Sequence, residues 1–385
     1  MDGGAEQQTG PVWRLPAVRA LLAASVLGFT SYAVTLSALP SYAVQGGAGV
    51  GGAGLVTTVF LAATVLTQLV VPRLVARFGL GPVLAGGLLS LGAPAPLYLL
   101  GDGLVWLSVV SGVRGTGFGV ITVLGATIAA RAVPVARRGE SLGLYGLALG
   151  LPTLAAVPGG VALVLSGHLP VVVALATLPV LGLLAVPALV RAVPAAVTAP
   201  SGDPTGPAAR AAAPPALVLL VVTLAGAGLV TFLPIARPDG VVATLALLLF
   251  GITGALSRWG GGVLADRVGT RVLLPASLLV GVAGLVVLAL GLDVDALVLL
   301  GATVFGLSYG GVQNTSLVVA MARAGERGTT TASAVWNASF DAGTGVGALV
   351  VGVVAAAVGL DLAYAVLAAL LVLVLPLAVR VTRPG

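Results

Sequence analysis

The sequence predicts an all-α membrane protein with twelve transmembrane helices in two six-helix, pseudo-symmetric bundles. Of its 385 residues, 58% are hydrophobic and only 8% are charged, whereas a soluble globular domain carries about 25% charged residues. The apolar residues form long runs, and the two halves of the chain share short motifs at a constant offset. These observations exclude a water-soluble protein of this length.

The apolar runs divide into twelve segments. A spanning helix needs about 20 mainly apolar residues to cross roughly 30 Å of hydrocarbon. Charged residues, proline–glycine clusters and turn residues interrupt the apolar pattern and mark the segment boundaries. The segments are 17–40, 50–72, 80–100, 103–129, 140–166, 170–190, 216–235, 241–263, 272–292, 296–320, 330–357 and 362–380. The first run is too long for the apolar part of a cleaved signal peptide, so we expect a retained helix.

The distribution of arginine predicts the orientation in the membrane. All 18 basic residues are arginine. If the N-terminus is cytoplasmic, fifteen arginines lie at cytoplasmic ends, Arg237 alone lies in an outer loop, and Arg114 and Arg258 lie within segments. The positive-inside rule therefore places both termini in the cytoplasm of a multi-pass protein in the cell inner (plasma) membrane.

Two halves and a linker organise the chain. An Ala- and Pro-rich stretch, predicted to be a solvated cytoplasmic linker, separates two sets of six segments. The predicted parts are a cytoplasmic N-terminus (1–16), an N-terminal bundle (17–190), the linker (191–215), a C-terminal bundle (216–380) and a cytoplasmic tail (381–385).

Short motifs recur in both halves. Leu-Val-Ala-Arg-Phe-Gly at 74–79 corresponds to Leu-Ala-Asp-Arg-Val-Gly at 264–269, which is 190 residues later. At nearly the same offset, Gly-Thr-Gly-Phe-Gly at 115–119 corresponds to Gly-Leu-Ser-Tyr-Gly at 306–310. Parallel repeats of six helices are typical of secondary transporters, whose binding site lies between the halves near the bilayer midplane.

The composition excludes several other classes. The chain has no cysteine, and its one histidine, His168, cannot form a multi-histidine metal site. Arginines scattered singly or in pairs predict no nucleic-acid surface, and without lysine there is no phosphate-binding loop of an ATP-driven pump. We therefore expect no enzyme activity, no catalytic residues, no metal site and no cofactor.

Two motifs resemble those of a known family. Gly-Val-Leu-Ala-Asp-Arg-Val-Gly-Thr-Arg at 262–271 resembles the loop signature of the major facilitator superfamily, and Arg-Gly-Thr-Gly-Phe-Gly at 114–119 is similar to its fourth-helix signature, often found in proton-linked members. Segment five only loosely resembles the glycine–proline signature of the drug:proton antiporters. In the first-half loop, Ala76 replaces the signature aspartate and Pro72 the leading glycine. The resemblance covers about residues 14–380 and implies alternating access by rocking of the two bundles.

The resemblance also implies a cytoplasmic gate. The loop between segments eight and nine would contact the start of segment five. We interpret Arg258, toward the cytoplasmic end of segment eight, as structural or as part of this inner gate, because its long side chain can snorkel. The gate candidates are Gly262, Asp266, Arg267, Gly269, Arg271, Arg258, Arg137, Arg138 and Glu140.

Two charged residues lie deep within segments, where charge is costly and indicates function. Asp341 is about 16 Å into segment eleven, and Arg114 lies at similar depth in segment four. We assign both to proton coupling. The alternatives are a structural Asp341 satisfied by neighbouring helices, and an Arg114 that holds helices four, one and two together through backbone carbonyls.

Further polar and aromatic residues share helix faces with these positions. Ser333, Asn337, Asp341 and Thr344 follow a helical spacing. A mostly apolar substrate cavity with a few fixed polar groups would be lined by Tyr32, Thr35, Gln68, Tyr309, Gln313, Trp336 and Asn337.

The function predicted is secondary active transport, with proton-coupled efflux of small amphipathic molecules, such as drugs or natural products, as the first interpretation. The partners would be the small-molecule substrate, protons and the lipid bilayer, and we expect a monomer. An importer or uniporter of a small metabolite is the alternative. A non-transporting membrane sensor is a third reading, but the short termini and linker hold no soluble signalling domain.

Overall fold

The computed structural model describes residues 11–48, 50–193, 206–237 and 241–382, nearly all of them helical. Residues 194–205 of the predicted linker, 1–10 of the N-terminus and 383–385 of the tail lie outside the described residues. Short 3-10 turns, Val12–Arg14 and Val135–Arg137, precede the first and fifth helices.

The helices follow the apolar segments. The first six, in chain order, are α1 (Pro16–Gln45), α2 (Val50–Phe78), α3 (Leu80–Gly92, followed by the 3-10 segment Ala95–Leu100), α4 (Leu104–Arg131), α5 (Arg138–Leu165) and α6 (Leu169–Thr177, continued by the 3-10 segment Leu178–Ala185 and the helix Val186–Ala192). The next six are α7 (Pro207–Ala236), α8 (Val241–Val268), α9 (Thr270–Leu290), α10 and α11 (together Asp295–Val358) and α12 (Leu360–Val381).

One glycine separates α10 from α11. Gly325 has φ 72° and ψ 175°, a left-handed conformation that interrupts the helical stretch Asp295–Val358. We therefore treat 295–324 as α10 and 326–358 as α11. Eleven stretches of the described residues are long and apolar enough to cross a membrane. Since the longest contains both α10 and α11, the described helices make twelve spans, as the sequence predicts.

The chain forms two compact units. Unit 1 comprises 1–67 and 73–200, and unit 2 comprises 68–72 and 201–385. In unit 1, α1 packs against α4, α5 and α6, and α3 packs against α4 and α6. In unit 2, α10 and α11 pack against α7, α8 and α9, while α12 covers α7 and α9. Residues 68–72 belong to helix α2 along the chain but group with unit 2.

The two units have glycine at equivalent positions of their loops and helices. Gly79 between α2 and α3 has φ 83°, and Gly269 between α8 and α9 has φ 84°, a conformation that disfavours any side chain. Gly115 in α4 lies against the backbone oxygen of Phe60 in α2. Gly306 in α10 similarly lies against the backbone oxygen of Phe250 in α8, where an added Cβ would be 2.6 Å away. Small residues thus let equivalent helix pairs approach closely in both units.

Candidate functional site

The deepest acidic side chain of the described residues is Asp341 in α11. It lies fifteen residues after the start of the helix at 326, which is about 22 Å along its axis. The carboxylate is partly exposed and its Oδ2 accepts a hydrogen bond of 2.7 Å from Nε2 of Gln68. Gln68 itself is fully buried. A deep carboxylate is therefore held by an amide donor from a residue far away in sequence.

An arginine is fixed on the same unit. The Arg258 guanidinium carbon lies 5.7 Å from the centroid of the Trp336 ring, and its Nη1 donates to Oε1 of Gln313 at 2.8 Å. Trp336 is 3% exposed and donates from Nε1 to Oγ of Ser316 at 2.9 Å. Its ring also stacks on Phe340, with 5.9 Å between centroids. These contacts hold the cation against a rigid aromatic surface.

The structure changes the interpretation of Arg258. Helix α8 continues to Val268, ten residues beyond this arginine, so Arg258 lies about 15 Å from the end of its helix. The predicted segment ended at 263 because Asp266 and Arg267 interrupt the apolar run. The side chain contacts Trp336 and Gln313 instead of extending along its own helix.

Two further predicted cavity residues, Asn337 and Tyr309, lie on α11 and α10. Asn337 donates from Nδ2 to the backbone oxygen of Ser333 at 2.8 Å, which places both residues on one face of α11. The hydroxyl group of Tyr309 on α10 has Arg258, Thr344 and Asp341 as electrostatic neighbours. Unit 2 therefore brings one cation, one carboxylate and several neutral polar groups to one region.

Arg114 has a different setting, inside unit 1. It is 0% exposed. Its Nε donates to the Leu91 oxygen at 2.9 Å, its Nη1 to the Tyr98 hydroxyl at 3.2 Å and its Nη2 to Oγ of Ser31 at 2.8 Å. Tyr98 in turn bonds to Ser111. These partners come from α1, the end of α3 and the 3-10 segment after it, so the bonds join α4 to α1, as the structural alternative expects, and to α3, which that alternative did not name.

Aromatic rings cluster around Tyr32 in unit 1. The Tyr32 ring stacks on Phe118 with 4.2 Å between centroids and lies 5.5 Å from Phe60. Thr35 donates to the Ser31 backbone oxygen at 2.9 Å, a bond within its own helix. A recess of unit 1 is lined by Tyr32, Thr35, Leu36, Leu39, Val56, Thr57, Phe60 and Ser111. It offers mostly apolar and aromatic surface with a few hydroxyl groups.

The predicted gate residues lie in both units. Asp266, Arg267 and Arg271 are exposed around the left-handed Gly269, and Gly262 is buried in α8. In unit 1, Nη2 of Arg137 pairs with Glu140 at 2.6 Å.

The start of α5 has further contacts. The Glu140 carboxylate accepts a bond from the backbone N–H of Val12 at 3.4 Å. Arg138 donates from Nε to the Ala130 oxygen at 2.9 Å. The arginines at this end of unit 1 therefore have local partners.

Within the described part of the chain, no three His, Asp or Glu side chains come together as a metal ion would need. The polar groups above can bind a proton, an ion or the polar groups of an organic molecule.

The comparisons with known proteins agree with this architecture. The profile of the Major Facilitator Superfamily matches residues 21–335. The chain belongs to the Major Facilitator Superfamily. Members of this superfamily are membrane transporters, so Asp341, Arg258 and the aromatic clusters lie in the spanning helices of a transporter fold. None of the curated proteins compared by sequence gives a significant match.

Solved structures of this superfamily share the fold. The human organic anion transporter MFSD10 (TETRAN) is 18% identical with a TM-score of 0.76, over 96% of this chain and 100% of that one. FucP in the outward conformation is 16% identical with a TM-score of 0.73, over 95% and 99%. A variant of FucP, the E. coli fucose:proton symporter, has a TM-score of 0.72 at 16% identity, over 96% and 100%. At this identity the likeness concerns the fold alone.

Proposed function

We propose that this protein is a secondary active transporter of small amphipathic molecules that works by alternating access and is driven by protons through Asp341. The observation that supports it is the partly exposed Asp341 carboxylate, deep in α11 and hydrogen-bonded to Gln68. An ionisable group at this depth is costly, and such groups mark ion and proton pathways.

The site has the chemistry that proton binding and release require. Apolar surroundings disfavour the charged form of a carboxyl group, while a hydrogen bond donated to the carboxylate favours it. At Asp341 the two influences oppose each other, because the carboxylate lies deep in a spanning helix and Gln68 donates to it. Both protonation states are then accessible during a transport cycle.

Two directions of coupling follow from different observations. Export in exchange for protons is favoured by Arg114 and the glycines 115, 117 and 119 of the fourth-helix signature. Cotransport of substrate and proton is favoured by Arg258, because a cation near the carboxylate suits a negatively charged substrate. A proton on Asp341 would then reduce the repulsion between substrate and carboxylate. Two of the proteins with a similar fold are a fucose:proton symporter and an organic anion transporter.

The proposal also includes the orientation of the protein in the membrane and the position of its cytoplasmic gate. The excess of arginine on one side of the helices supports cytoplasmic termini in the inner (plasma) membrane. The loop around Gly269 and the start of α5 would form the gate on that side. Asp266, Arg267 and Arg271 are exposed on this loop, and we expect them to contact the start of α5 when the cytoplasmic side closes.

Reconstituted protein tests the proposal. Proteoliposomes with an imposed pH gradient would be incubated with a panel of labelled amphipathic acids, amines and neutral molecules. We expect at least one compound to accumulate or be depleted only while the gradient lasts, and abolition by a protonophore. Substrate that moves in the direction opposite to the protons indicates exchange, and substrate that moves in the same direction indicates cotransport. Equilibration of every transported compound, with no effect of the gradient, would establish a uniporter and refute proton coupling.

A further inference from the structure

Arg258 lies on the interior face of its helix. Residues 254, 258, 261 and 265 follow the spacing of one helical stripe, and Gly254, Gly261 and Ala265 are buried. Arg258 remains partly exposed although its stripe faces inward, so part of the side chain is accessible to a ligand. A guanidinium group on this inward-facing stripe lies beside buried residues of unit 2, which is not the position of a side chain that anchors its helix at the lipid interface.

The arginine is also held in a defined orientation. Trp336 covers one face at 5.7 Å and Gln313 accepts from Nη1 at 2.8 Å. Gly310 permits this arrangement, because a Cβ at that position would lie 2.7 Å from the backbone nitrogen of Arg258. Packing against Trp336 and a hydrogen bond to the neutral Gln313 side chain therefore fix the orientation of the guanidinium group, as a binding site for a planar ligand group requires.

The surrounding groups set the charge of the site. Asp341 is five residues beyond Trp336 on α11, about 8 Å along the axis, and its carboxylate is held by Gln68. The neutral Tyr309 hydroxyl has Arg258, Thr344 and Asp341 as neighbours. When Asp341 carries a proton, Arg258 gives this region a positive charge.

We propose that Arg258 binds an anionic group of the transported molecule, specifically a carboxylate, so that the substrates are small organic acids with an apolar body. The inference rests on the proposed transport function. The planar fork of guanidinium donors matches the two oxygens of a carboxylate. The stacked rings of Trp336 and Phe340 offer an apolar surface beside it. Arg258 thereby becomes a substrate-binding residue as well as a gate candidate.

Direct binding to solubilised protein tests this assignment without any gradient. The reporter is Trp336 fluorescence in a background that carries phenylalanine at the other three tryptophans, Trp13, Trp106 and Trp259. The probes are two matched sets, octanoate with octanamide and octylamine, and phenylpropionate with phenylpropionamide and phenylpropylamine. We expect at least one carboxylate to quench saturably and to bind at least about tenfold more tightly than its amide and amine.

Three variants assign the preference to one side chain. We expect Arg258→Gln to weaken carboxylate binding by at least about tenfold, and Arg258→Lys to weaken it less, since lysine keeps the charge and loses the fork. Arg237→Gln is the matched control, because Arg237 belongs to the same unit and pairs with Asp295 instead. Its carboxylate binding should equal that of the parent protein.

The outcomes separate this inference from the proposed function. Absence of any carboxylate binding, equal or tighter binding of the amine, or unchanged binding in Arg258→Gln would overturn it. Carboxylate binding that depends on Arg258, in a protein that shows no gradient-driven transport, would support the site and refute proton coupling. Gradient-driven accumulation confined to amines would support coupling and overturn the substrate class.

Discussion

Replacing Arg114 by lysine separates a structural from a coupling role for this residue. The guanidinium group bonds to acceptors on three residues, Leu91, Tyr98 and Ser31, at 2.8–3.4 Å. A single ammonium group cannot reach acceptors on all three sides, so we expect at least two bonds to be lost. Hydrogen bonds between membrane helices contribute about 0.6 kcal/mol on average and up to about 1.7 kcal/mol.

The expected cost follows from these bonds and from the acceptors left behind. Two lost bonds give about 1–3 kcal/mol, and buried acceptors without partners add to it. A total of about 2–4 kcal/mol would lower the thermal midpoint by roughly 2–5 °C. The matched control is Arg191→Lys, since Arg191 is exposed and its Nε donates to the Pro187 oxygen of its own helix.

Thermal unfolding in detergent, followed by tryptophan fluorescence, measures the effect. We expect Arg114→Lys to lower the midpoint and Arg191→Lys to leave it within about 1 °C. An Arg114→Lys protein with wild-type stability that has lost gradient-driven transport would refute this reasoning and assign Arg114 to coupling.

Two further substitutions test the gate and the close helix contact. We expect Asp266→Asn to shift the protein toward inward-facing forms and to slow transport. The shift would be measured as faster labelling of cysteines introduced on the cytoplasmic side, and unchanged labelling would contradict the role of Asp266 in the gate. Gly310→Ala should lower the thermal midpoint, because its Cβ would overlap the Gly254 oxygen and approach the backbone nitrogen of Arg258. Gly86→Ala is its control, since no atom lies within 4 Å of that Cβ, and equal midpoints for the two variants would count against the packing argument.

The fold was predictable because membrane thickness sets the length of the apolar runs and the repeated bundle produces recurring motifs in the sequence. The apolar runs predicted twelve spans, and the offset of 190 residues predicted that Gly79 and Gly269 would have equivalent roles, which their matching left-handed φ values support. Helix ends were harder to predict. Charged residues mark where the hydrocarbon ends, but the helix itself can continue beyond it, as α8 does to Val268.

The contacts of the candidate site could be predicted only in part. Helical spacing correctly placed Ser333 and Asn337 on one face, where they bond to each other. The bond between Gln68 and Asp341 joins residues 273 positions apart, and periodicity within one helix carries no information about such pairs. The contact of Arg258 with Trp336 could not be predicted for the same reason.

Transport by the Asp341→Asn variant tests proton coupling most directly. Asparagine keeps the size and polarity of the side chain but cannot exchange a proton near neutral pH. Two assays on the same proteoliposomes are compared, accumulation driven by an imposed pH gradient and exchange of labelled for unlabelled substrate without one. We predict that the variant loses gradient-driven accumulation and retains part of the exchange. Accumulation against a gradient at the wild-type rate would contradict the role of Asp341 in coupling.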